Sequence, residues 1–564
     1  MTALPTVPVP PALAARAEFE RGRAMAREGK RDAAIAAYRA AIARDPEYAE
    51  AHNNLANLLR ELGNAEDAAK HYETATRCKP DYALAHFNLA CLRQTAGQLD
   101  AARDAYGKAI AANPDWAEPH YNLATIDREA GDAERAAAGF RRTVTLEPGH
   151  GGGWNNLGLV MRRLGRHAEA LAAHARSMAA DPDNPRARFN AGMAHLTLGG
   201  FEAGWPLYEA RIEIASVAKM AGLRTGIPRW RGEPLGRRTL LVEAEQGLGD
   251  TIQFVRYLPL LRSRPGAEDA SVTLAGDQAM LRLLSGFPGV DRLLEKPSQR
   301  KPLPRGHDLV VSPMSLPAIF ETNAATIPAA VPYLHPHPAL IAQWASRIDG
   351  TGAGGFKVGL VWAGRPQHDN DRNRSITLED LAPLAKIRGV TLYSLQKGPA
   401  EAALANPPKG MKITPLGGRA ADFADTAAAV ANLDLVISVD TAVAHLAGAL
   451  GKPIWTLLPY VPDWRWMLER TDSPWYPSMQ LFRQEAPGDW AGVLAAVAKT
   501  LRAQLRKRKP AAMRADKKSG WPAARLTSHN LASPKPAPSG PIAPKLASPK
   551  SASPKLASKS RGRK

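Results

Sequence analysis

Between residues 15 and 215 the small and apolar positions recur with a fixed step of 34 residues. Pro46, Pro80, Pro114, Pro148 and Pro182 keep it, as do Gly29, Gly63, Gly97, Gly131, Gly165 and Gly199. Tyr38, Tyr72, Tyr106 and Phe140 follow the same step until His174 breaks the aromatic series. The pattern predicts two helices per unit. A glycine makes the turn between them, small residues let the helices approach, and a proline ends the second. One such unit cannot bury its apolar face, but a stack of them can. From about residue 225 the period disappears, and short apolar runs alternate with helical stretches. The first set is TLLVEAE (239–245), ASVTLAG (270–276), VDRLLE (290–295) and HDLVVSP (307–313). The second is KVGLVWAG (357–364), VTLYSLQ (390–396), LDLVISVD (433–440), PIWTLLP (453–459) and MQLFRQ (479–484). This alternation predicts parallel sheets with helices on both faces. A loop-rich break around 326–354 divides them into two lobes.

The 34-residue unit resembles the tetratricopeptide repeat, with five full repeats over 15–184 and a partial sixth to about 215. Asn54, Asn88, Asn122, Asn156 and Asn190 recur on the first helix of each unit. In the resembling family that helix lines the concave groove. A primary amide both donates and accepts, so a ladder of them suits an extended peptide backbone, as in glycosyltransferases of the O-GlcNAc type. The same residues also suit bracing between neighbouring helices. GGG at 151–153 departs from the repeat, and glycine disfavours helix, so a softer joint is expected there.

Composition changes the picture at one end only. The chain of 564 residues carries a net charge of +20. Seventeen Lys and Arg and one acid, Asp516, lie between Arg502 and Lys564, so sixteen of those twenty charges belong to the last stretch. That stretch repeats LASPK and SASPK and is expected to be a disordered tail. Its charge suits an anionic surface or nucleic acid, or simply solubility. Cys78 and Cys91 are the only cysteines, which excludes a disulfide framework. No apolar run approaches the roughly 18 residues a membrane span needs, and the first residues do not read as a signal peptide. A cytoplasmic protein is expected.

The candidate chemistry lies at strand ends. In the first lobe TLLVEAE runs into QGLGD, where Gly247 and Gly249 flank a turn and Asp250 follows. Glycine-rich turns of this kind often approach phosphate, yet an aspartate there would repel it. In the second lobe DLVISVDTAVAHLAGALGKP runs strand, turn, helix, with Asp440 at the turn and Thr441 and His445 sharing one helix face. The loops after VGLVWA and LYSLQ bring Arg372, Arg374 and Lys397 toward the same edge. Cations and a helix N-terminus suit a diphosphate. Trp464 and Trp466 in PDWRWML are candidates for stacking on a base or sugar, or for packing.

GLGD together with SVDTAVAHLAGALGKP resembles the heptosyltransferase-like glycosyltransferases of family 9, which have the GT-B architecture, over about 235–500. Where that family has glycine after Asp-Thr, this chain has Ala442. The resemblance implies an inverting, metal-independent transfer of sugar from a nucleotide-sugar co-substrate, with no cofactor. It makes Asp250 the general base that takes the acceptor hydroxyl's proton, and Arg372, Arg374, Lys397, Asp440, Thr441 and His445 the donor and diphosphate site. Asp250 is equally a preferred N-cap for a helix starting at Thr251. DND at 369–371 imitates a metal triplet of the other major glycosyltransferase architecture, and the resemblance argues against that reading. The expected fold is α + α/β: an extension (1–14), an all-α tetratricopeptide superhelix (15–215), a GT-B N-terminal lobe (225–340), a C-terminal lobe (352–505) and a basic tail (506–564). The expected function is transfer to a protein or glycan acceptor recruited by the repeats. A non-catalytic scaffold or nucleotide-sugar-binding protein, and a nucleotide-sugar epimerase, are the alternatives.

Overall fold

The computed structural model describes residues 10–215, 226–296, 306–350, 354–368 and 370–515. The tail beyond Ala515, and the expectations placed on it, lie outside the described residues.

Six helix pairs form the repeat array, from Pro11–Arg27 with Arg31–Arg44 to Pro185–Thr197 with Phe201–Tyr208. The first helix thus opens within the stretch read as an extension. The repeat glycines between paired helices all adopt positive φ, from 74° to 94°, which only glycine takes without strain. The second helices of the first five pairs stop two residues before each repeat proline, at Arg44, Cys78, Ala112, Leu146 and Ala180. Close approach explains the small residues. A methyl on Gly22 would lie 2.6 Å from the Tyr38 ring, and one on Gly158 would lie 2.5 Å from His174. A further series holds the prolines. Ring nitrogens of His52, His86 and His120 meet the carbonyls of Pro46, Pro80 and Pro114 at 2.9–3.1 Å, and Trp154 donates to Pro148 at 2.8 Å. The GGG stretch is helical. Helix Gly151–Arg163 begins at the first of the three, and the His150 ring accepts from the Gly153 amide at 2.9 Å. The glycines occupy only the first turn, and a Cβ on Gly153 would meet Val144 and Thr143 of the preceding helix at 3.0 and 3.2 Å.

The first lobe has four parallel strands, β1 (Thr239–Glu243), β2 (Ser271–Gly276), β3 (Arg292–Glu295) and β4 (Leu309–Val311), in the order β3-β2-β1-β4. The second has six, β5 (Phe356–Val361), β6 (Val390–Ser394), β7 (Ile413–Pro415), β8 (Leu435–Val439), β9 (Ile454–Leu458) and β10 (Met479–Arg483). Their order is β10-β9-β8-β5-β6-β7, again all parallel. In each sheet the winding direction reverses once, between β1 and β4 and between β5 and β8. Ligands of such sheets bind beyond the strand ends at that reversal. QGLGD follows β1, and Asp440 follows β8. Helix Pro338–Asp349, which lies in the stretch read as a loop-rich break, packs on the second lobe. The Trp344 indole donates to Asp425 at 3.1 Å, and Asn432 donates to the Ile341 carbonyl at 3.0 Å.

The regions share a core. One apolar cluster contains Phe201, Trp205 and Tyr208 of the last repeat pair, Val242, Phe254 and Tyr257 of the first lobe, and Trp464, Trp475 and Tyr476 of the second. A separate cluster fills the other face of the second sheet and includes Val493, Val497 and Leu501 of the C-terminal helix. That helix continues past residue 505, through Ala515.

Candidate functional site

The QGLGD turn folds in a way the sequence reading did not foresee. Gln246 takes a left-handed φ of 61°, and the helix starts at Leu248 rather than Thr251. Asp250 therefore sits inside the first turn and not at the N-cap. Its Oδ2 still serves the helix start by accepting the Gly247 amide at 2.8 Å. The second glycine answers to the other lobe. A methyl on Gly249 would lie 2.9 Å from the His445 ring and 3.5 Å from the Ala442 Cα. The two motifs are thus in direct contact across the lobes.

Arg465 is the hub of this contact. Its Nε donates to Gln253 at 2.7 Å and its Nη1 to Asp463 at 2.8 Å, while Nη2 donates to Asp250 Oδ1. The guanidinium lies 4.4 Å from the Trp464 ring centroid, a cation–π contact. Burial pushes the Asp250 carboxyl above the ordinary aspartate range, against the pull of Arg465 and the Gly247 amide. On the second-lobe side the Asp440 carboxyl is pushed up to about 6 by burial and by nearby Asp463, with Arg374 and Arg465 opposing. Arg374 donates to the Asp440 carbonyl at 3.0 Å. Thr441 pairs with Ser438 at 2.9 Å. His445 bonds Tyr476 through Nδ1 at 2.9 Å and stands 3.9 Å from Asp440. Burial and the charges of Arg465, Arg256 and Arg374 hold it well below its usual value, so the ring is neutral at pH 7. The helix it belongs to, Ala442–Ala449, has no side-chain cap, and the amides of Ala442 and Val443 meet no acceptor among the described residues. That is the arrangement that binds anions.

The predicted cations divide. Arg374 reaches the site. Lys397 stands at the end of β6 and gives its ammonium to the Ala420 carbonyl. Arg372 is exposed on the short helix Asp371–Arg374 and bonds none of the described residues. Trp464 and Trp466 are buried, the first among Trp205, Tyr208 and Trp475 and the second against the His445 ring at 5.2 Å, so both serve packing. Sequence reading missed Arg465, Asp463 and Gln253, although the first two lie in the PDWRWML stretch it singled out for its tryptophans.

The array reaches the same turn from behind. Arg211, fully buried after the last repeat helix, forks onto Glu245 at 2.9 and 3.0 Å and donates to Ser315 at 2.9 Å. Trp205 donates to the Thr322 carbonyl at 2.7 Å. On the concave side, Asn88, Asn156 and Asn190 give their amide N–H to Asn53, Tyr121 and Asn155 of the preceding repeat at 2.9–3.0 Å. Asn122 reaches toward Cys91 at 3.9 Å, and Asn54 accepts from Asn53 at 3.2 Å. Asn88, Asn156 and Asn190 thus bridge to the preceding repeat, while Asn54 bonds within its own. Asn156 and Asn190 also line a hollow with Arg128, Arg186 and Phe189.

Among the described residues no helix is long and apolar enough to cross a membrane. The tetratricopeptide repeat family matches residues 19–83, 87–150, 121–185 and 156–213. Glycosyltransferase family 9 (heptosyltransferase) matches residues 380–485, a stretch that holds Asp440 and Arg465 but not Asp250. Protein FlbA of Caulobacter vibrioides is 31% identical over 329 residues, 54% of this chain and 53% of that protein. The chain thus spans about half the length of this curated relative. Among solved structures, a MamA protein is 22% identical over 30% of this chain and 92% of its own, with a TM-score of 0.28. YrrB, described as a TPR protein with an unusual peptide-binding site, is 23% identical over 32% of this chain and 92% of its own, with a TM-score of 0.29. The chain carries tetratricopeptide repeats in its N-terminal region, joined to a glycosyltransferase family 9 domain of the heptosyltransferase type.

Proposed function

We propose that the protein is an inverting, metal-independent glycosyltransferase acting from a nucleotide-sugar donor on a protein or glycan acceptor that the repeats recruit. The observation that carries this reading is the meeting of two strand-end reversals, with the Asp250 carboxylate on one side and the unfilled amides of Ala442 and Val443 on the other. A diphosphate at those amides would meet Arg374 and Arg465, whose charge offsets that developing on the leaving group. Asp250 then stands opposite to take the acceptor's proton. Asp440 and His445, with Thr441, shape the donor side, and Lys397 borders it. The concave hollow at Arg128, Arg186 and Phe189 suits an acceptor segment, with Asn54, Asn88 and Asn122 further along the groove. A cytoplasmic location belongs to this reading, because the two cysteines are unpaired.

One observation favours a second reading. Both Asp250 oxygens are occupied, by Gly247 and by Arg465, as in a structural carboxylate. That favours a nucleotide-sugar-binding scaffold without transfer. Mass spectrometry separates the two. Full-length protein and Asp250→Asn are incubated with a panel of nucleotide sugars and cell lysate. The proposal expects wild type to release nucleoside diphosphate and add the sugar mass to an acceptor, while the variant binds the donor and does neither. Equal transfer by both proteins overturns the base assignment. Binding without transfer by both supports the scaffold.

A further inference from the structure

Arg465 belongs to the second lobe, but two of its three bonded nitrogens hold first-lobe partners. Gln253 and Asp463 grip Nε and Nη1, while Nη2 alone holds Asp250. The stack on Trp464 fixes the guanidinium plane. Asp250 follows Gly249, whose Cβ position faces the Ala442 Cα at 3.5 Å, so its partner Arg465 stands near the N-terminus of the Ala442 helix, where two amides meet no acceptor among the described residues. A second donor is idle beside Arg465. The Nε2 of Gln253, whose side chain is fully buried, has no partner. The cleft therefore holds a carboxylate paired with a cation, next to helix amides that meet no acceptor among the described residues.

We propose that Arg465 is a positioning residue that couples donor arrival to the release of Asp250. The inference rests on the cleft taking a nucleoside-diphosphate sugar. When the diphosphate settles on the Ala442 helix, its oxygens compete with Asp250 for Nη2. Gln253 and Asp463 keep the guanidinium anchored, so one bond changes partner and the side chain need not be rebuilt. The freed carboxylate accepts the proton of the acceptor hydroxyl as that oxygen bonds the anomeric carbon. The bond from the anomeric carbon to the β-phosphate oxygen breaks, and the nucleoside diphosphate leaves with the electron pair. Without donor, Asp250 stays paired and does not act as a base toward a bound acceptor.

The test is a double-mutant cycle on the full chain, with calorimetric binding of inorganic pyrophosphate, UDP and GDP to wild type, Asp250→Asn, Arg465→Gln and the double variant. Removing the competitor is expected to tighten binding about tenfold in D250N. R465Q is expected to weaken it about tenfold, and D250N on the R465Q background is expected to change it less than twofold. Unchanged or weaker binding in D250N overturns the proposal. So does equal tightening on both backgrounds, which is simple charge repulsion. A second measurement needs no change at Arg465. Across a pH series, wild type is expected to take up a larger fraction of a proton on binding than D250N, read from calorimetry in two buffers of different ionisation enthalpy. No difference overturns the proposal even if R465Q does not fold. If none of the probes binds wild type, the nucleotide-site reading falls first and takes this inference with it. If D250N binds more tightly yet still transfers sugar, the base assignment fails while the competition for Arg465 stands.

Discussion

The repeat array and the cleft are held together in opposite ways. In the array each contact repeats, and its partners are close in sequence: a glycine turn, a ring on a proline carbonyl, an amide reaching back one repeat. The cleft depends on single side chains whose partners are far along the chain. Arg465 meets Asp250 across 215 residues, and Arg256 donates to the Trp475 carbonyl across 219. Redundant local contacts confine damage to one repeat, whereas unique long-range contacts spread it. The two schemes meet where Phe201, Trp205, Tyr208 and Arg211 enter the core of the lobes.

The sharpest break of this contrast is by deletion. A chain starting at residue 226 loses the repeat side of the shared core and is expected to aggregate or to melt without cooperativity. A chain lacking residues 10–79, the first two helix pairs, is expected to keep the lobes folded and nucleotide binding unchanged. Calorimetric melting of the two checks this, and a well-folded 226 chain would show that the core is not shared in effect. Next in size is Arg211→Met, which leaves Glu245 buried without its cation. Removing one partner of a buried pair costs about 3–5 kcal/mol, and adding Glu245→Gln should recover much of it. Urea denaturation measures both.

A pH series probes the cleft side alone. With its carboxyl at about 6, native Asp440 keeps its proton where the unfolded chain has lost it. Its contribution favours the fold below about pH 4, is lost as pH rises to 6, and is flat above, amounting to roughly 2–3 kcal/mol at about 1.4 kcal/mol per pKa unit. Asp440→Asn is expected to remove that slope from the stability curve. The smallest effect belongs to the array. Asn88→Ala deletes one inter-repeat hydrogen bond and is expected to cost about 1 kcal/mol, with no change in nucleotide affinity.

What was legible in the sequence follows the same division. Periodic contacts write themselves as a period, so glycines, prolines and aromatics announce two helices per unit. The strands with four or more residues were equally plain. Ile413–Pro415 was not, because three residues ending in proline make too short a run to alternate. At the GGG helix, intrinsic propensity misled: the glycines fall in the first turn, and the Gly153 position faces Thr143 and Val144 closely. At QGLGD, Gly249, read as part of a turn, lies inside the helix, and the opposite lobe leaves no room there for a Cβ. Arg372 and Arg374 look alike in sequence, yet neighbours two apart on a helix point different ways, and one reaches the cleft. Arg465 leaves no trace that spacing can detect, because its role depends on a residue in another lobe.

The shared core also sets how such a chain can be rebuilt. Its joint with the lobes lies in the last two helix pairs, where Tyr460 presses on Gly165 and Arg211 grips Glu245. Whole 34-residue units can be added or removed at the far end without touching the cleft. Grafting another array onto these lobes would have to carry the segment 151–213 along with the lobes. The reach of the groove is therefore open to variation, while the angle at which it leaves the cleft is not.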